Sequence, residues 1–168
     1  MRWILAAAAL LFFPASSLAQ GTATETVDFT ISVEPVFVMN SSSEEGGNIR
    51  LGPVGPGESP ASGMAAVSVR SNTGRLYRIV QRLEQNLLNE RGSDFTEDPV
   101  LFTVTDGANG GHSEVKSPAV LTTQPVVLFA SGPEGESDDF RIAYSVSSKK
   151  LVPAGTYRAR VLIEEEFQ

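Results

Sequence analysis

The chain has 168 residues, with 20 acidic and 13 basic side chains and a net charge of -7. That balance argues against a nucleic-acid binder, which needs a basic face to displace counterions. With no cysteine and a single histidine, His112, disulfide scaffolds, thiolate zinc sites, cysteine nucleophiles and multi-histidine metal sites are excluded.

Residues 1–19 read as a removable leader. Arg2 gives a short positive start, residues 4–13 (ILAAAALLFF) form an apolar stretch, Pro14 breaks it, and Ser17-Leu18-Ala19 offers small residues for cleavage. An apolar run of about ten residues is too short to span about 30 Å of hydrocarbon, and nothing after it is long enough either. The expectation is an exported chain in the bacterial periplasm or at the cell surface, with no membrane span once the leader is removed. Residues 20–168 are then one domain. Arg2 is the leader's one basic residue, so the remainder carries 12 basic against 20 acidic groups, or -8.

Alternation dominates the rest of the chain. Over 26–38, Val27, Phe29, Ile31, Val33 and Phe37 alternate with polar residues, which predicts a half-buried strand interrupted at Pro35. Residues 40–60, rich in Ser, Gly, Pro and Glu, predict a long loop with a short strand near 48–51. Ala65, Val67 and Val69 alternate, Ser71-Asn72-Thr73-Gly74 is turn chemistry, and Tyr77, Ile79 and Leu83 alternate again, which predicts a hairpin. Leu76, Val80, Leu83 and Leu87 also fit helical spacing, so 76–90 carries a competing helix reading. Short strands follow at 100–104, within 120–130 around Pro125, at 140–146, and from Tyr157 to Ile163. Seven or eight short strands with Gly and Pro turns, and at most one short helix, predict an all-β, immunoglobulin-like Greek-key β-sandwich.

The segment Pro153-Ala154-Gly155-Thr156-Tyr157 has the form of a tyrosine corner, which opens the penultimate strand of such sandwiches. Only 11 residues follow Tyr157, enough for the rest of one strand. A sandwich without its last strand leaves unpaired backbone and apolar surface, which a partner's strand can fill. With the leader, the alternating segment 26–38, Phe140-Arg141-Ile142-Ala143-Tyr144 and the closing Pro-Ala-Gly-Thr-Tyr strand, the chain resembles bacterial pilin-like secreted domains of the spore-coat-U and fimbrial-subunit type. The resemblance implies an extracellular structural or adhesion-type subunit that self-associates or meets a periplasmic chaperone. It implies no catalytic residues and no cofactor. Val27, Phe29, Ile31 and Val33 are the candidate inserting residues. Either 24–34 is donated and the domain's own first strand starts after Pro35, or 26–38 pairs within its own domain; the choice stays open.

Other constellations have blander readings. Asp106, His112 and Ser113 contain the residue types of a hydrolytic triad, but a glycine loop is a poor frame for one. Asp106, Asn109, Asp138 and Asp139 offer oxygen ligands without the EF-hand spacing. Glu164-Glu165-Glu166 alternates between faces and reads as a charged end or an edge guard. Arg78 and Arg82 are the candidate ligand surface should the protein instead be a monomeric binding module for a glycan or protein ligand. No constellation points to an enzyme.

Overall fold

Period-two alternation carries through into nine strands, and the described residues contain no helix. The computed structural model describes residues 29–43, 47–95, 98–148 and 150–168. The expected leader and Val27 lie outside them. The chain divides between Met1–Val33 and Glu34–Gln168, and all nine strands belong to the second unit.

β1 (Phe37–Ser43), β2 (Ala61–Ser71), β8 (Asp138–Val146), β4 (Leu101–Val104) and β6 (Ala119–Val120) make one antiparallel sheet, in that order. The second sheet runs β5 (His112–Ser113), β7 (Val126–Ala130), β3 (Tyr77–Leu83), β9 (Val161–Phe167). The core lies between the sheets, where inward residues of each strand recur at every second position. β2 contributes Ala65, Val67 and Val69; β3 contributes Tyr77 and Ile79; β8 contributes Phe140, Ile142, Tyr144 and Val146. Phe129 of β7 stacks on Phe140 of β8 at 4.3 Å, tying sheet to sheet. Burying each such side chain stabilises the fold by about 1.5–3 kcal/mol relative to exposure.

Three expectations are corrected. β2 and β3 are not a hairpin, because they lie in different sheets and residues 72–76 carry the chain across the sandwich. Residues 29–36 form no strand, so the strand expected over 26–38 is cut back to a first strand at 37–43, which starts after Pro35 as one of the two alternatives had it, and the serine-rich stretch expected to be loop pairs along β2 from Phe37↔Ser71 to Ser43↔Ala65. The last strand is displaced toward the C-terminus and includes Glu164–Glu166, because its register with β3 runs from Leu83↔Val161 to Tyr77↔Phe167. For 76–90 the strand reading holds, over Tyr77–Leu83.

Candidate functional site

The two sides of the sandwich are unlike. On one side the edges are β5 and β6, each two residues long, too short to template another strand. On the other side the edges are β1 and β9, each seven residues long, and each pairs with one neighbour. Phe37 of β1 meets Phe167 of β9 at 4.8 Å and Tyr77 of β3 at 5.2 Å between ring centroids. This contact joins the start of β1 to the end of β9 across the two sheets.

Past that contact, the inward row of β9 is covered only in part: Ile163 packs against the core and Glu165 is exposed. Residues paired across an antiparallel ladder share a face, so Val161, Ile163, Glu165 and Phe167 lie on the core side with Leu83, Gln81, Ile79 and Tyr77. Val161 and Ile163 are half-buried, and Glu165 is exposed although its partner Ile79 is fully buried. Facing them, the inward row of β1 runs Phe37, Met39, Ser41, Ser43, turning from apolar to polar along the strand. The two free edges flank a groove closed at its Phe37–Phe167 end, and at the other end Ile49 and Leu51 lie against Gly63 of β2 and pack on the core.

The outward row of β9 has a different character. Glu164 accepts a hydrogen bond from Arg82 Nε at 3.3 Å, Glu84 pairs with Arg160 at 3.2 Å, and Arg78 lies opposite Glu166 in the register. Arg78 and Arg82 therefore sit in a cross-strand ladder of alternating charge that holds the last strand to β3. Exposed pairs of this kind contribute about 0.2–1 kcal/mol each. Arg78 also lines a surface cleft of about 420 Å³ with His112, Ala130, Pro133 and Gln168, and Arg82 does not.

Asn72 fixes the chain just ahead of β1. Its side-chain Nδ2 donates to the Glu34 carbonyl at 3.0 Å, its Oδ1 accepts from the Val36 N–H at 2.6 Å, and its own N–H donates to the Val36 carbonyl. Asn72 follows the end of β2, so Glu34–Val36 is held at the Phe167 end of the groove. In the preceding unit, Phe29, Ile31 and Val33 are 88%, 84% and 75% exposed. The structure thus leaves three of the four candidate inserting residues in solvent; the fourth, Val27, is outside the described residues.

Tyr157 forms the expected corner, with its hydroxyl donating to the Pro153 carbonyl at 2.8 Å. Its ring packs edge-on against Phe95 at 5.0 Å, and Arg158 and Leu88 exchange backbone hydrogen bonds just before β9. These contacts set where β9 begins.

The remaining candidates have other work. Asp138 is buried and accepts from the N–H groups of Asn109, Gly111 and Asp139 at 2.8–2.9 Å, which orders the glycine loop. A Cβ on Gly107 or Gly111 would collide with that carboxylate. Asp139 bonds Arg70; a Ser68 hydrogen bond, and then Arg70, hold its carboxyl below the ordinary range. Asp106 accepts from the Ser113 N–H, the Ser113 hydroxyl donates to the Val115 carbonyl, and His112 faces Glu114 at 3.3 Å. Asp106, His112 and Ser113 are therefore not arranged as a triad. Among the described residues no group of three metal-ligating side chains converges, and no helix is long and apolar enough to cross a membrane.

Sequence reasoning missed the inward placement of Glu165, the Asn72 clasp and the Phe37–Phe167 closure. The first was available, since strict alternation through residues 161–167 puts Glu165 on the side of Ile163. Compared with protein-family models and with curated proteins, the chain matches none.

Proposed function

We propose that this protein is an exported structural subunit, pilin-like in its logic, that assembles by strand pairing and performs no catalysis. The alternating segment of one copy, with Val27, Phe29, Ile31 and Val33, enters the groove between β1 and β9 of another. The observation that carries the reading is β9 itself: a seven-residue terminal strand with one free edge and an inward row that is only half-buried and exposed at Glu165. The exposed apolar alternation at 29–33 is the complementary half.

Strand direction supports pairing between copies. β9 runs toward the Phe37–Phe167 end, and Asn72 holds Glu34–Val36 at that same end. A strand antiparallel to β9, the more stable pairing, must have its C-terminal end near Val161, about 20 Å away. Glu34 of the same chain is held at the opposite end of β9 from this, a constraint that does not bind another copy's segment. Such a contact is head-to-tail and leaves the pair of copies one free groove and one free segment, which makes an open-ended polymer.

Export follows from the leader reading of 1–19, and the bacterial periplasm or cell surface is the proposed location. An open groove needs cover before assembly, the task a periplasmic chaperone would perform. The cleft at Arg78 and His112 favours the second reading, a monomeric module binding a glycan or protein ligand there. An SDS gel of the native protein with and without boiling separates the two. A ladder that collapses to one band on boiling is expected for strand-paired polymers; one band in both lanes is expected for the monomeric module.

A further inference from the structure

We propose that Arg158 and Arg160 of one copy receive Glu34 of the next and so set the register of the strand between them, an inference that rests on the strand-pairing reading above. The occupant is the segment 27–33 of a second copy, and the lengths match: it has seven residues, as has Val161–Phe167. With the strands antiparallel and Val33 beside Val161, Ile31 lies beside Ile163, Phe29 beside Glu165 and Val27 beside Phe167, all on the inward row. A slip of one residue turns the apolar row outward. A slip of two keeps the faces but leaves Val161 or Phe167 without a neighbour. Glu165 gains an apolar neighbour in each of these registers and does not choose among them.

Just before β9, Arg158 and Arg160 line a surface cleft of about 300 Å³ with Glu84, Gln85 and Ala159. The cleft thus holds two guanidinium groups against one carboxylate. Arg160 pairs with Glu84 at 3.2 Å, yet its side chain is 73% exposed, and Arg158 is exposed as well. Glu90 is engaged elsewhere, accepting from the Thr156 N–H at 3.2 Å. Among the described residues Arg158 forms no ion pair. The cleft therefore has positive charge to offer at the Val161 end of the free edge.

Glu34 brings the complementary charge. It follows Val33 directly, so it falls on the outward row beside Arg160 when Val33 lies beside Val161. Asn72 holds its backbone carbonyl, while its side chain is exposed and forms no ion pair among the described residues. A slip of two toward Phe167 carries Glu34 from Arg160 to Leu162, and a slip the other way uncovers Phe167. Only the matched register keeps both the apolar cover and the charge pair. In it Asp28 falls beside Glu166, whose charge Arg78 opposes from β3.

The test uses the full chain with Phe29→Asp and Ile31→Asp as acceptor, so that its own segment does not compete. The probes are labelled, amidated peptides of residues 24–35: unchanged, with Glu34→Lys, and with Glu25→Lys. Fluorescence anisotropy reads affinity at neutral pH and low salt. The Glu34→Lys peptide is expected to bind about three- to tenfold more weakly than the unchanged one. Glu25 lies past β9 in this register, so Glu25→Lys, with the same change in net charge, should bind the acidic acceptor as well or better. Adding Arg158→Glu and Arg160→Glu to the acceptor, both at exposed positions, should invert the order, so that the Glu34→Lys peptide binds more tightly than the unchanged one. A Glu34→Lys peptide that binds the parent acceptor as well as the unchanged one or better, or no inversion on the reversed acceptor, would overturn the proposal and leave strand pairing standing. No binding of any peptide to either acceptor would overturn the strand-pairing reading and the proposal with it.

Discussion

Phe37 and Phe167 meet edge-on, their ring centroids 4.8 Å apart and their planes at 73°. One residue opens the first strand and the other closes the last, so this contact is where the two free-edged strands are joined. Arg75 covers the Phe167 ring from 4.6 Å. Phe167→Ala removes both contacts and opens the closed end of the groove. Because Phe167 is 39% exposed, the cost should fall below that of a buried phenylalanine, at about 1–3 kcal/mol. Urea denaturation measures it, and an unchanged midpoint would show that the contact carries no stability.

Tyr144 and Gln81 form a buried polar pair across the sheets. The Tyr144 hydroxyl donates to Gln81 Oε1 at 2.9 Å, while Gln81 Nε2 is buried with no partner among the described residues. Tyr144→Phe strands the acceptor as well and should cost about 1–3 kcal/mol. Adding Gln81→Leu removes the other polar partner, so the double variant should recover most of that loss. Additive losses in the double-mutant cycle would contradict this.

Alkaline pH should unfold the protein through its buried tyrosines. Burial, then the charges of Asp138 and Glu136, push the Tyr77 hydroxyl up from 10.0 to about 12, and burial pushes Tyr144 up as well. A tyrosine in the unfolded chain releases its proton near pH 10, before the folded one does. The stabilisation is therefore complete below about pH 10 and is lost as pH rises through about 12. Urea midpoints should decline over that window. Tyr77→Phe should make the decline shallower, while losing about 1 kcal/mol at neutral pH with its bond to the Glu136 carbonyl. A midpoint that does not move up to about pH 12 would contradict the assignment.

Much of this fold was legible where the determinants are local. The alternation of Phe140, Ile142, Tyr144 and Val146 is β8, and the Pro-Ala-Gly-Thr-Tyr segment makes its corner bond as expected. The errors come from distant partners. Asn72 resembles a hairpin-turn residue, yet its amide is spent on Glu34 and Val36. Ser41, Ser42 and Ser43 read as loop because no propensity favours them, and β2 alone holds them in a strand. Glu164–Glu166 looked like a charged terminus because a run of like charges hides its alternation. The register with β3 separates it into an outward pair facing arginines and one inward carboxylate. For the candidate site, the apolar segment 27–33 was visible as pattern, but the groove was not, since it is made by two strands that do not pair with each other.

The cysteine-free chain allows the central claim to be tested by cross-linking. Ile31→Cys in one copy and Ile163→Cys in a second, larger-tagged copy are mixed under mild oxidation and run on a non-reducing gel. The account predicts a mixed disulfide dimer, absent when the second cysteine replaces Val120 on the far edge of the sandwich. Both cysteines in one chain should still link different molecules. A cross-link formed only within a monomer, or none at all, would contradict pairing of this segment with the β9 edge of another copy.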